Sequence, residues 1–478
     1  MLATDAYMAE LQERLEQVYR IAEGYGLDPF PIHWEIVPAE ILYEFGAYGL
    51  PGRFSHWTHG RAYRRQKVMY DYGLSKIYEL VINADPAYAF LLDGNSVLQN
   101  TLIAAHVIAH VDFFKHNQYF APTNRGMVEG ASASAERIRQ YEFRHGRRRV
   151  EEFIDAVLSI EEHVDPHQRL RRRPARPERA GRPRAGPYDD LFRGEGAAAA
   201  EERGRRVPAE PEKDLLLFLM EEAPDLADWQ RDVIEVVRNE MLYFVPQMQT
   251  KIMNEGWASY WHQRIVRDLE LSDREYVEFA QMHAGVLAPA RHELNPYHVG
   301  LKILEDVERR WDAPTEEERR RLGREPGRGR AKLFEVRELE SDVAFLRNYL
   351  TPGLVQELDL YVYKVEPDGG LTVVEKDWER IRDMIVGSMT NFGVPYIQVE
   401  DGDHRKAREL YLRHLYEGRE IDTAYAERVL RYLHAIWGRP VHLQTVLDEQ
   451  PCVLSFDGQE NTRRPGGAAA DSAGKNVS

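Results

Sequence analysis

Residues 101 to 120, TLIAAHVIAHVDFFKHNQYF, form an apolar segment that reads as a helix and carries two histidines, His106 and His110, four residues apart. A helix this apolar belongs in a core, so it organises whatever packs around it. The spacing also sets both imidazoles on one helix face, about a turn apart, as two ligands of one Zn²⁺ require. At 100° per residue His106, His110, Phe113 and Asn117 share that face, and Asp112 points away. The competing reading is two core histidines, each of which then needs a partner of its own. In the hydrolytic zinc motif a Glu follows the first His as general base; this chain has Val107 there.

A second segment bears on the first. NEGWASYWH, residues 254 to 262, lies in a stretch that is helical on either side, and Glu255 and His262, seven apart, share a face with Ser259 beside them. A Glu from a separate helix completes a His₂Glu zinc site with one position left for water or substrate. Gly256 costs helix stability and lets another backbone approach closely. Competing third ligands are Glu129 and Glu136 on the helix after His110, and Glu136 is also a candidate partner for an imidazole N–H. His33, Glu35, Glu40, Glu44, His56 and His59 lie in an aromatic-rich wrap whose first reading is packing, and His292, Glu293 and His298 precede a helix where Asn295-Pro296 reads as a turn. No phosphate loop and no Gly-x-Ser-x-Gly motif is present.

The remainder of the chain reads as a mainly helical body with a C-terminal α+β domain. Residues 1–163 form an N-terminal helical part, with helices at 6–24, 64–80, 97–117, 127–143 and 149–162, and with residues 29–66 irregular. Residues 164–212 are Arg, Pro, Gly and Ala with few apolar anchors, and are expected to be disordered. Residues 213–313 are helical and pack on the first part, 314–332 are a charged linker, 333–458 are the α+β domain and 459–478 a disordered tail. Within the α+β domain a hairpin turns at PDGG, strands fall at YIQVEDGDH and CVLSFDG, and helices at 374–390, 404–417 and 422–436. The formal net charge of -16 argues against non-specific nucleic-acid binding. A single cysteine, Cys452, rules out an intramolecular disulfide framework, so a metal must use His and carboxylate ligands. With no signal-like N-terminus and no run near ~18 apolar residues, the expected location is cytoplasmic, without a membrane span.

Four strings carry a family resemblance: HWEIVPAEILYEFGAYGLPGRFSHWTHGRAY, AHVIAHVDFFKHNQYFAPTNRGMVEGASASAERIRQYE, YFVPQMQTKIMNEGWASYWH and NPYHVGLKILEDVERRW. In order along the chain, from about residue 8 to about 455, they resemble the SpoVR (stage V sporulation protein R) family. The resemblance implies a role in forming the spore cortex, a specialised peptidoglycan. Relatives outside spore formers, encoded near a PrkA-type serine protein kinase and a von Willebrand-like companion, imply a stress or developmental role and those two proteins as partners. It implies no reaction, so no catalytic residue carries over from it. The His-x-x-x-His helix with EGWA is also similar to gluzincin-like metallopeptidases, which implies His106, His110 and Glu255 as ligands of zinc or another divalent metal. Val107 departs from that pattern, and the stand-ins for the missing base are Glu136, His262 and Glu240. Two readings follow beside the sporulation role: a metal-dependent hydrolase acting on a peptide or amide of a cell-wall precursor, and a metal-stabilised scaffold working with the kinase.

Overall fold

The computed structural model describes residues 5–71, 80–168, 206–287, 294–365 and 370–466. The core of the expected disordered insertion (169–205), the hairpin turn (366–369), His292, Glu293 and the end of the tail lie outside the described residues.

The chain opens with α1 (Asp5–Gly24), β1 (Ile32–Val37), α2 (Ala39–Tyr48), α3 (Trp57–Asp71), β2 (Leu80–Ile82), β3 (Ala87–Leu92) and α4 (Val97–His116). Then come α5 (Met127–His145), α6 (Arg147–Leu158), α7 (Leu215–Glu222), α8 (Asp228–Gln249), α9 (Lys251–Arg267), α10 (Asp273–Leu287) and α11 (Pro296–Asp312). After α12 (Glu316–Leu322), α13 (Gly329–Leu339), α14 (Asp342–Tyr349) and α15 (Pro352–Glu357) follow β4 (Val362–Val365), β5 (Leu371–Glu375) and α16 (Trp378–Met389). The C-terminal elements are β6 (Ile397–His404), β7 (Glu409–His414), α17 (Thr423–Trp437), β8 (Val441–Leu447), β9 (Gln450–Phe456) and β10 (Asn461–Pro465). Mainly helical architecture with a C-terminal sheet is thus the fold of the described residues.

Two compact units divide the chain: residues 1–136 with 243–393, and 137–242 with 394–478. In the first, α4 is the central helix. A Ser96/Gln99 capping box starts it, and nearly every residue from Leu98 to Phe114 is buried. By length and composition α4 is apolar enough to cross a membrane, but it is buried on all sides by α1, α9, α13 and the sheet β1-β3-β2. In that sheet β1 runs parallel and β2 antiparallel to β3. The irregular wrap expected at 29–66 is therefore mostly regular: Ile32, Trp34 and Ile36 alternate onto the core in β1, and α2 and α3 follow. Aromatic density concealed the period-two pattern there.

The charged linker expected at 314–332 is largely helical as well. Thr315 and Glu318 form a capping box that starts α12, a start signal inside a run of charges. A Cβ on Gly329 would lie 2.5 Å from the Glu308 carbonyl oxygen, so α13 begins packed on α11. The first unit extends to residue 393 instead of ending near 332, because Ile381 and Val386 of α16 are buried in its core.

In the second unit the sheet order is β10-β9-β8-β7-β6, with β7 and β8 parallel and the other neighbours antiparallel. Helix α17 packs on α6, β8 and β9, and Trp437 at its end stacks on Phe218 at 5.7 Å. The helix expected at 404–417 is instead strand β7. Leu410, Leu412 and His414 alternate inward, a short period-two signal hidden among charged residues with helical propensity. Residues 461–465 of the expected tail pair with β9 as an edge strand. At the borders of the insertion, Glu212 bridges to Val399 and the Gly402 N–H donates to the Val207 carbonyl, so these residues are ordered against β6.

Candidate metal centre

The site begins with a helix crossing in the first unit. Helix α9 meets α11 at Gly256 and Gly300. A Cβ on Gly256 would lie 2.4 Å from the Gly300 carbonyl carbon, and one on Gly300 would lie 2.1 Å from the Ile252 oxygen. Only glycine permits this approach, as the cost of Gly256 to its helix implied. Asp342 accepts from the N–H groups of Ile252 (2.8 Å) and Met253 (2.9 Å) at the start of α9. Burial raises the Asp342 carboxyl to about 7, against the lowering effect of those two N–H groups.

On the face of α4 opposite the histidines, Asp112 is fully buried. It accepts from the Trp257 indole at 3.0 Å, from the Arg337 guanidinium at 2.8 Å to each oxygen, and from the Asp28 N–H at 2.9 Å. Trp257 is two residues beyond Glu255, so this buried ion pair fixes the register of α9 on α4. It also accounts for an acid in so apolar a helix.

Held in this way, Glu255 meets both histidines. Its Oε2 lies 3.4 Å from His110 Nε2 and 3.7 Å from His106 Nε2, and the two imidazole centroids are 4.6 Å apart. The three ligand atoms lie within 4.8 Å of one another, the one such group of His, Cys, Asp and Glu among the described residues. Burial would raise the Glu255 carboxyl, but the two histidines outweigh it and hold the group well below the usual carboxylate range. Oε2 is shielded from water and has no well-formed hydrogen bond. His110 Nδ1 is 2.9 Å from Asn254 Oδ1, an acceptor that can hold a proton on Nδ1 and so free Nε2 to bind a metal.

Around this group, Tyr297 at the start of α11 stacks on His106 with centroids 6.0 Å apart. His262 lies edge-on to His106 at 5.7 Å and is stacked on His283 at 6.0 Å. Burial, with His106 and His283 adding to it, pushes His262 well below its ordinary value, and its Nδ1 is shielded from water without a hydrogen-bond partner. Ser259 is buried on the same helix.

The other candidates stand elsewhere. Glu129 and Glu136 are exposed on α5 and outside the three-ligand group, and Glu240 is buried on α8 in the second unit. His59 is buried between Tyr48 and Phe54, and His56 is buried against Trp57 and His59 with its Nδ1 2.7 Å from Thr58 Oγ1, both packing roles. His33 and Glu35 pair with each other at 3.4 Å, and Glu40 and Glu44 are exposed. Asn295 caps α11 by accepting from the N–H groups of Tyr297 and His298. Sequence reasoning missed Asn254, although it adjoins Glu255, and missed Gly300, the counterpart of Gly256. It also missed Arg337, which a buried Asp112 called for.

Comparison with known proteins agrees with the strings quoted above. The family model described as SpoVR like protein matches residues 5–394, and that described as SpoVR-like C-terminal domain matches residues 395–448. The chain is similar to a protein of Escherichia coli (strain K12) named Uncharacterized protein YcgB, with 28% identity over 475 residues, covering 92% of this chain and 91% of that protein. No solved structure matches.

Proposed function

Since this chain belongs to the SpoVR family, we propose that it is a cytoplasmic protein of spore cortex formation that works as a metal-dependent hydrolase on a peptide or amide of a cell-wall precursor. His106, His110 and Glu255 would hold the metal. The observation that carries this reading is their spacing. Ligand atoms about 2.0–2.1 Å from a tetrahedral zinc ion stand about 3.3 Å from one another, and Glu255 Oε2 stands 3.4 and 3.7 Å from the two imidazole nitrogens. The nitrogen and oxygen donor set suits zinc, and three protein ligands leave a position for water or substrate. A zinc ion there would supply Lewis acidity toward a carbonyl and lower the pKa of a water.

The chain's own residues then divide the work. Asn254 orients the His110 ring, and Asp112 and the Gly256–Gly300 crossing keep Glu255 in reach. Val107 is 1% exposed and cannot act as a base. Of the three stand-ins, His262 is the one beside the group, so in this reading it would take a proton from a bound nucleophile and return it to a leaving amine, against a burial that holds its basicity low. The test is release of free amines from synthetic cell-wall stem peptides by zinc-loaded protein. The reading expects turnover that is lost in His262→Ala while zinc content stays at the parental level. Zinc-loaded protein inert toward every peptide and amide offered would overturn it.

Val107 also favours a second reading, a metal-stabilised scaffold working with a PrkA-type serine protein kinase, since a site without its motif base can hold metal without cutting. Under it, metal removal lowers the unfolding midpoint and weakens kinase association, and no substrate is cleaved.

A further inference from the structure

The turn between α5 and α6, in the second unit, carries a surface that the metal centre does not use. Phe143, in the last turn of α5, is 92% exposed, the most exposed large apolar side chain among the described residues. Between residues 139 and 149 there are five arginines against one glutamate, in a chain whose formal net charge is -16. Arg139, Arg144, Arg147, Arg148 and Arg149 are all exposed. Three of them occupy the first turn of α6, where the helix dipole disfavours cations, and the N-cap, Gly146, offers no side-chain acceptor. Arg144 and Arg147 have no ion pair among the described residues, and the pair between Arg148 and Glu152 is itself exposed, so little holds it.

The surface is rigidly framed. His145 stacks on Trp229 with centroids 5.1 Å apart, Phe153 meets the same indole edge-on at 5.3 Å, and Arg137 and Tyr141 both bond to Asp232. Gly146 takes a φ of 86° that turns the chain sharply between the helices. Held from beneath, Phe143, Arg144 and the arginines of the first turn of α6 remain on the outside, at a standing cost in apolar exposure and in charge against the dipole.

We propose that this turn docks an acidic segment of a partner protein, with carboxylates meeting Arg144, Arg147 and Arg148 around one apolar side chain seated on Phe143. Charge complementarity selects the occupant. A membrane or duplex nucleic acid presents an extended negative surface that the rest of this acidic chain repels, whereas a short peptide engages only the basic turn, within a Debye length of about 8 Å.

The test uses full-length protein and a fluorescein-labelled peptide of glutamates around a central leucine, read by anisotropy. The proposal expects saturable binding that weakens about tenfold in Phe143→Ala and is lost in Arg144→Glu/Arg147→Glu. It also expects no binding of the same peptide with glutamine for glutamate. These positions are exposed, so the variants fold. Equal binding by all variants, equal binding of the glutamine peptide, or binding of phosphatidylserine vesicles or duplex DNA in preference to the peptide would overturn it.

Discussion

Replacing Asp112 with alanine removes the one acceptor shared by the Arg337 guanidinium, the Trp257 indole and the Asp28 N–H. Asp112 is fully buried and Arg337 is 4% exposed, so the buried arginine would keep only its 3.1 Å pair with the half-exposed Glu338, at a cost near the lower end of about 3–5 kcal/mol. The Trp257 N–H would lose its acceptor too, adding about 1–3 kcal/mol. A loss of at least about 4 kcal/mol is expected, read from the urea midpoint and slope of the unfolding transition. Arg337→Met in the Asp112→Ala background should restore a large part of it, because the uncompensated charge is gone. A loss below about 1.5 kcal/mol, or a double variant no more stable than Asp112→Ala, would refute the claim that this pair sets α9 on α4.

Three further outcomes follow from the same geometry. Gly256→Ala puts a Cβ 2.4 Å from the Gly300 carbonyl carbon, so it should either cost more than about 3 kcal/mol or force α9 and α11 apart and abolish metal binding; thermal melts and metal titration read the two. Asn254→Ala leaves His110 without its orienting acceptor and should weaken zinc about 10–100-fold by competition with a chelating dye, with little change in unfolding midpoint. His59 is lowered to about 4 by burial, with Arg53 and His56 adding to it. Its unfolded form accepts a proton that the fold refuses as pH falls from 6.5 toward 4, so about 3 kcal/mol present above 6.5 is lost through that window. His59→Phe should flatten this part of the acid-unfolding curve.

The sequence made most of the helical body and the site group legible, because both rest on local periodicity. The 97–117 helix, its His-x-x-x-His face and the Glu255 helix appear at the expected places, and the family strings span the chain. What stayed hidden is pairing between distant segments. Strands β1, β7 and β10 are short, and their alternation competes with aromatic or charged neighbours, so their identity depends on partners that sequence spacing does not reveal. The same holds for Asn254 with His110 and for Asp112 with Arg337, each a contact between residues more than 140 positions apart. The boundary at 393 depends on where Ile381 and Val386 bury themselves, which composition does not encode.

The central claim, that His106, His110 and Glu255 hold a metal, is tested most directly by elemental analysis of purified protein beside His106→Ala and Glu255→Ala. The account predicts about one zinc, or another divalent ion, per parental chain and a loss of at least tenfold in both variants. No metal in the parent, or the same content in all three proteins, would contradict it.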